Sequence, residues 1–299
     1  MAELDFSDRV AIVTGAGNGL GRAYALWLSA RGAKVVVNNR RHADQPWSAQ
    51  AVVREIEAAG GIAIAEPSDA TATDSGEAMV RAALDSFGRI DIVIANAGGN
   101  TPQLLADQSL DDLRDNAELN FFGAIKPVLA ALPHFNAQNY GRIVFTASGA
   151  ALFGCKTLSA YAAAKMAQIG LSRSLGIETS RTGIRVNVIS PYAHTKMAMT
   201  KLPDWLEALL SPDKVAPVVG WLAHESCPVN GQIFSAGSGR IRRVALVEGP
   251  VIDLEGGSPG DKLDQLLDLS QMVESRDMYQ SALDLTPELA KAGFETSAG

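Results

Sequence analysis

A doubly wound α/β fold, one parallel sheet of about seven strands with helices on both faces, follows from three observations in this 299-residue chain. Short apolar segments alternate with helical patterns from Val10 to Phe234, the alternation that builds a parallel sheet covered on both sides. A glycine-rich turn joins the first apolar segment to the first helical pattern. Polar residues able to do chemistry follow the ends of later segments, where ligands collect in open α/β sheets. Strands are predicted at Val10–Val13, Lys34–Asn38, Ile62–Ala65, Ile90–Ala95, Arg142–Thr146, Arg185–Ile189 and Gln232–Ser235. The predicted organisation is a dinucleotide-binding and catalytic domain over 1–249 and a helical extension over 250–299, with no internal repeat.

The first strand runs into Gly15-Ala16-Gly17-Asn18-Gly19-Leu20-Gly21, and a helical pattern runs from Arg22 to Ala30. Glycines permit the tight turn and let backbone approach a pyrophosphate. The helix N-terminus adds unpaired N–H groups and the positive end of its dipole. Gly15, Gly19 and Gly21 fit Thr-Gly-x-x-x-Gly-x-Gly rather than strict G-x-G-x-x-G spacing. Strand and helix flank the loop as dinucleotide binding requires, which favours that reading over a plain turn. Asn18 and Leu20 belong to the same loop.

Tyr161 and Lys165 stand four apart in an alanine-filled run with no helix breaker. Residues so spaced share a helix face. A nearby ammonium favours the phenolate, so the tyrosine pKa is expected to fall toward neutrality. That would suit Tyr161 to proton transfer. Ser148 closes the apolar segment Ile143 to Phe145, at a predicted strand's carboxyl end, and could hydrogen-bond a substrate oxygen. A turn serine and a surface tyrosine are common; it is their occurrence together, in this order, that points to catalysis.

These features together resemble the short-chain dehydrogenase/reductase family, in its compact branch, from about Val10 to Gly239. The resemblance implies a Rossmann-like fold and NAD(P)-dependent hydride transfer. It identifies Asn120, Ser148, Tyr161 and Lys165 as the catalytic set, with Asn120 anchoring a water beside Lys165. It also makes Asn96-Ala97-Gly98 the segment supporting the sheet beside the cofactor, and Asp69 the acid that contacts adenine. A narrower resemblance lies in Gly21 to Leu26, Val35 to Asn38 and Trp221 to Cys227. These are similar to the (3R)-hydroxyacyl-CoA dehydrogenase modules of the type-two peroxisomal multifunctional enzymes. It implies an acyl-CoA or steroid-like substrate, and we expect a homodimer or homotetramer.

Three departures from a minimal member of that family stand out. Asn39, Arg40 and Arg41 follow the second strand, where NAD-dependent members commonly carry an acid. Two guanidinium groups could pair with a 2′-phosphate, so NADP is expected, with NAD as the alternative. Pro191-Tyr192-Ala193-His194-Thr195 replaces a usual Pro-Gly; Pro191 and Thr195 are expected to border the nicotinamide. Beyond it, Met197 to Leu210 reads either as an apolar lid or as an amphipathic helix on the core. Finally, Gly256 to Gly260 reads as a linker, and Asp261 to Val273 carries leucines at near-helical spacing.

The net charge is −7 and no basic run occurs, which argues against nucleic acid. Cys155 and Cys227 make no disulfide framework and suit a cytoplasmic protein. Cys155 lies near Ser148, but a small loop residue is the better reading than a catalytic thiol. His42, His134, His194 and His224 are scattered, so no metal site is expected. No segment is apolar and long enough to span a bilayer, and the terminal Thr296-Ser297-Ala298-Gly299 is not a Ser-Lys-Leu-type address. The expected activity is hydride exchange between a nicotinamide and a secondary alcohol or ketone, with a 3-hydroxyacyl-CoA as candidate substrate. A steroid or other bulky ketone reductase is the alternative within enzymes, and a non-catalytic dinucleotide-sensing scaffold the alternative outside them.

Overall fold

The computed structural model describes residues 4–41, 43, 45–195, 202–253, 258–275 and 278–285. The strands are β1 (Val10–Val13), β2 (Lys34–Asn38), β3 (Ile62–Glu66), β4 (Ile92–Ala95), β5 (Gly141–Thr146), β6 (Ile184–Tyr192), β7 (Ile233–Gly237) and β8 (Arg240–Val244). They form one sheet in the order β3-β2-β1-β4-β5-β6-β7-β8, and every pairing from β3 through β7 is parallel. The chain turns from β1 outward to β2 and β3, then crosses back to β4 on the other side of β1. That reversal puts the crevice between the carboxyl ends of β1 and β4.

Helices α1 (Gly19–Ser29), α2 (Ser48–Ala58) and α9 (Ala216–Ala223) cover one face. Tyr24, Leu28, Val52, Ile56, Val219 and Leu222 pack there on Val13, Val35, Ile94 and Val144. Helices α3 (Ser75–Phe87), α5 (Gly123–Gln138) and α7 (Ser159–Glu178) cover the other. The central strands are apolar throughout because both of their faces are buried, as a parallel sheet requires. At the amino end of the sheet the buried carboxylate of Asp91 accepts from Val10 N at 3.0 Å and from Arg89 at 2.6 and 2.8 Å. That end is therefore held together by charge-assisted bonds, while the carboxyl end is left for ligand.

The expected sheet had about seven strands; among the described residues it has eight. Ser238 and Gly239 both take positive φ, 54° and 73°, the combination of a type I′ turn. A two-residue connection can only return antiparallel, so β8 runs back along β7. Arg240, Ile241, Arg242 and Arg243 are exposed on it. Arginines on an edge strand discourage further pairing, and the same arginines hide the strand from an apolar-run reading.

The chain divides into two compact units, Met1–Arg243 and Val244–Gly299, slightly earlier than the boundary expected at 249. In the second unit Glu248 and Val273 exchange two backbone hydrogen bonds of 2.8 Å. The Glu248 carboxylate accepts from the hydroxyls of Ser275 and Ser281, which hold it below the ordinary carboxylate range. The leucine-bearing stretch from Asp261 to Val273 is not one helix. It comprises a 3-10 turn at Pro259–Lys262, α10 (Leu263–Leu266) and a second 3-10 turn at Leu269–Gln271. Asp268 interrupts it by accepting from Ser270 N at 2.9 Å, a local bond that competes with helix. Part of the expected linker, Gly256 and Gly257, lies outside the described residues.

Because the sheet and both helical layers lie within the first unit, a chain ending at Gly249 should unfold cooperatively and still bind a nicotinamide nucleotide. Thermal unfolding by circular dichroism and a nucleotide titration check this; an insoluble or non-cooperative product would show that the extension is part of the core.

Candidate active site

The crevice is closed on one side by the loop after β1 and on the other by the loop after β4. Thr14, fully buried, joins them: its hydroxyl oxygen accepts from Asn96 N at 2.9 Å and from Ala97 N at 2.8 Å. Asn96 Nδ2 returns a bond to Thr14 O at 2.9 Å. Gly15 sits at φ +62°, where a side chain's Cβ would stand 2.9 Å from Ala97 Cα. At Gly21 a Cβ would strike Gly15 O, so the first turn of α1 can lie against the loop only without one.

Beneath the far half, Asn38 ends β2 with its side chain buried. Its Nδ2 donates to Glu66 Oε2 at 2.7 Å and to Ser68 O at 3.0 Å, and its Oδ1 accepts from Gly15 N at 3.4 Å. Glu66 in turn accepts from Ser68 Oγ at 2.6 Å. This network ties the ends of β2 and β3 to the glycine loop. Sequence reasoning missed it, although a polar residue ending two otherwise apolar strands, Asn38 and Glu66, was a signal.

Two adjoining cavities occupy the crevice. One, of about 510 Å³, is lined by Gly15, Asn18, Gly19, Leu20, Asn39, Asn96, Ala97, Gly98, Ser148, Tyr161, Lys165, Pro191 and Thr195, with Asn100, Thr146, Ala147, Leu158 and Ala193 in addition. The second, of about 330 Å³, is lined among others by Asn38, Asn39, Arg40, Ser68, Asp69 and Ala70. Gly15, Asn39, Ala97 and Gly98 border both, so the two form one elongated site. Every expected cofactor residue except Gly21 and Arg41 lines one cavity or the other. Gly21 acts through its packing on Gly15. Arg41 departs from expectation: its guanidinium lies 5.7 Å from the Trp47 ring, and it lines neither cavity. Trp47 itself is fixed by its Nε1 donating to Asn39 O at 2.8 Å, so the indole holds the second arginine aside. Arg40 does reach the site, where it faces Asp69 Oδ2 at 3.4 Å.

Ser148 follows β5 in extended backbone and caps α6 (Gly149–Phe153), accepting from Ala150 N at 3.2 Å. With that acceptor site filled by the cap, its O–H is left to donate. Tyr161 and Lys165 come from the first turns of α7, on one face as their spacing predicted. The Lys165 nitrogen stands 5.9 Å from the Tyr161 ring centre and donates to Thr146 O at 2.8 Å.

The electrostatics correct the sequence expectation. Burial raises the Tyr161 pKa, and the Ser148 hydroxyl only partly offsets that. Burial also lowers Lys165, to about 7. The expected pull of the ammonium on the phenol counted proximity and left out desolvation, which here acts against the charged form of both groups.

Asn120 is fully buried and lines neither cavity. It sits in a π turn, Glu118–Phe122, between α4 (Leu110–Ala117) and α5. Its Nδ2 donates to Gly99 O at 2.9 Å and Asn116 O at 3.1 Å, and its Oδ1 accepts from Gly99 N at 3.0 Å. A Cβ on Gly98 would lie 2.7 Å from Asn120 Oδ1 and 3.1 Å from Lys165 Nζ, so the three meet at one corner. Single π turns often mark functional sites, and no residue pattern announced this one.

Cys155 is exposed and lines neither cavity, as the loop reading had it. Among the described residues no cluster of metal-ligating side chains occurs. Of the expected lid, Met197 and Met199 lie outside the described residues. Trp205 and Leu209, on α8 (Asp204–Leu209), are exposed at 69% and 43% and not packed as a core helix would be. Leu210 O accepts from His194 N at 2.8 Å, which places the end of α8 beside the loop carrying Thr195.

A family model described as short chain dehydrogenase matches residues 9–205. The chain is 40% identical over 251 residues to peroxisomal multifunctional enzyme type 2 of Mus musculus, covering 81% of this chain and 33% of that protein. It is likewise 40% identical over 245 residues to a Mycobacterium tuberculosis protein named as a short-chain type dehydrogenase/reductase, covering 80% of this chain and 85% of that one. The structure of full-length peroxisomal multifunctional enzyme type 2 from Drosophila melanogaster superposes with a TM-score of 0.81 at 33% identity, over 96% of this chain and 50% of that one. The chain thus spans only a third to a half of the multifunctional relatives.

The free protein should gain stability as pH rises from about 7 toward 10.5, because over that window the unfolded lysine holds a proton that buried Lys165 has lost. The slope from this group reaches at most about 1.4 kcal/mol per pH unit. Thermal midpoints of the parent and of Lys165→Met between pH 7 and pH 9 check it. The parent should rise relative to the variant, and parallel curves would refute the assignment.

Proposed function

The chain belongs to the short-chain dehydrogenase family, and on that footing we propose that it exchanges hydride between a nicotinamide dinucleotide and a 3-hydroxyacyl-CoA or its ketone. The observation that carries this is the elongated cavity in which Ser148, Tyr161 and Lys165 converge at one end and Asn39, Arg40 and Asp69 line the other. Residues and nucleotide fit: Gly15 and Gly21 let the loop close on Ala97 and the first turn of α1 lie against it, so the N-terminus of α1 faces the loop that lines the cavity.

When bound, the nicotinamide accepts or delivers the hydride. The chain does the rest. The Ser148 O–H donates to the substrate oxygen and holds it beside Tyr161. In reduction the Tyr161 phenol gives its proton to the carbonyl oxygen and is left as phenolate; in oxidation the phenolate takes the alcohol proton. As the ammonium, Lys165 spends one donor on Thr146 O and keeps two for the nucleotide's ribose hydroxyls and for the Tyr161 phenolate. Asn120 shapes the corner around Gly98 and Gly99 that holds Lys165 in place.

Arg40 supports NADP over NAD, since it borders the cavity where no acid ends β2. The preference rests on this one arginine and is tempered by its pairing with Asp69. The narrower substrate reading draws on the likeness to the multifunctional enzymes and on the exposed Trp205 and Leu209, apolar surface for an acyl chain. Cys155 and Cys227, both free thiols, support a reducing compartment such as the cytoplasm.

Tyr161→Phe should lower turnover by roughly 10²–10⁴-fold with little change in nucleotide affinity; a variant keeping most of its turnover would sink the assignment. The substrate is tested by following nicotinamide absorbance with a (3R)-hydroxyacyl-CoA and a hydroxysteroid side by side, the first expected to turn over better. Arg40→Ala should weaken NADP binding on the order of tenfold or more, the worth of a charge-assisted contact, and NAD much less. Arg41→Ala should alter neither. Equal losses with both nucleotides, or strong preference of the parent for NAD, would overturn the NADP reading.

A further inference from the structure

Gln168 lies on α7, one turn beyond Lys165, and is wholly inaccessible to solvent. Its amide nitrogen donates to the backbone carbonyl of Asn120. A carbonyl accepts only from a donor, so the amide must present its nitrogen there. Gln168 Oε1 is buried among the described residues without a partner. Helices rarely place a wholly buried amide at a position facing another helix unless it meets a polar need.

That need is created by the π turn. In it Gly123 N–H reaches back five residues to Glu118 O rather than four, which disturbs the regular ladder of carbonyl acceptors around Asn120. A carbonyl left unsatisfied in a dry helix contact would cost enough to favour a regular helix instead. A regular turn would rotate the Asn120 side chain away from Gly99. The three bonds by which that side chain clamps Gly99 and Asn116 would then be lost.

We propose that Gln168 is a positioning residue for hydride transfer: by holding the Asn120 carbonyl it keeps the π turn, and through Asn120 and Gly98 it sets the Lys165 ammonium against the cavity. The inference rests on the proposed dehydrogenase reading and deepens it, adding a residue that touches neither cavity. The three residues are linked through backbone. Gln168 touches Asn120 O, Asn120 Oδ1 and Lys165 Nζ both border the space at Gly98, and Lys165 reaches Thr146 O.

Gln168→Leu keeps size and apolar packing but removes the donor. Gln168→Glu keeps shape and can donate to the carbonyl only when protonated. For a positioning role, Gln168→Leu should lower kcat at least tenfold while KM for the substrate stays within about threefold. Relative to the parent, Gln168→Glu should recover ketone reduction as pH falls, whereas the deficit of Gln168→Leu stays flat. A thermal melt of each variant confirms that the assayed protein is folded. A second readout is independent of turnover. The pH at which nicotinamide-nucleotide affinity changes, which reports Lys165, should move by half a unit or more in Gln168→Leu. If the parent turns over no alcohol or ketone, the dehydrogenase reading fails, and this midpoint still decides the inference. A folded Gln168→Leu with kcat and midpoint both unchanged, or a Gln168→Glu deficit that ignores pH, would overturn it.

Discussion

The hydroxyl of Thr14 accepting two amides from the β4 loop is the interaction on which the site depends. A parallel sheet that reverses direction at β1 opens a crevice between two loops that share no ladder hydrogen bonds. Thr14 supplies that connection from within, at 2.8 and 2.9 Å to Ala97 N and Asn96 N. Once the loops are joined at that spacing, Gly15 must be free of a side chain to clear Ala97, and Gly21 to clear Gly15. The elongated cavity, the position of Gly98 and the corner that faces Lys165 all inherit their place from this contact. The Asn38–Glu66–Ser68 network does the same work one strand further out.

Desolvation is the second constraint. Bringing Tyr161 and Lys165 into a cavity wall removes both from water, and each is driven toward its neutral form. A buried ammonium becomes useful when polar groups replace the water it has lost. Thr146 O does so directly. Asn120 and Gln168 act at one and two removes, by fixing the backbone at Gly99.

The similarity to the multifunctional enzymes covers the part of those proteins that this chain spans. The candidate catalytic and nucleotide residues all lie within the first unit. The second unit, from Val244 onward, is organised around Glu248, whose two backbone bonds to Val273 and two serine hydroxyls hold a segment with few buried side chains. Exposed leucines such as Leu263 and Leu267 remain on it.

The amino-acid order alone determined the parallel sheet, the glycine loop and the shared face of Tyr161 and Lys165, because each is local: strand length, the need for glycine where backbone crowds backbone, and helical spacing. Ser148 was legible for the same reason, as the first polar residue past a buried strand. Tertiary structure decided the rest. Arg40 and Arg41 are neighbours in sequence, yet Arg40 borders the cavity while Arg41 lies toward the Trp47 indole, which is folded back onto Asn39. β8 was hidden because its arginines serve an edge, and edge status depends on which strand pairs beside it. The direction of the Tyr161 shift turned on burial, a property of all the elements packed around it. Asn120 was placed by resemblance, but its π turn and its partner Gln168 could not be read from spacing, since a residue's distance along the chain says nothing of which carbonyl a helix will leave free.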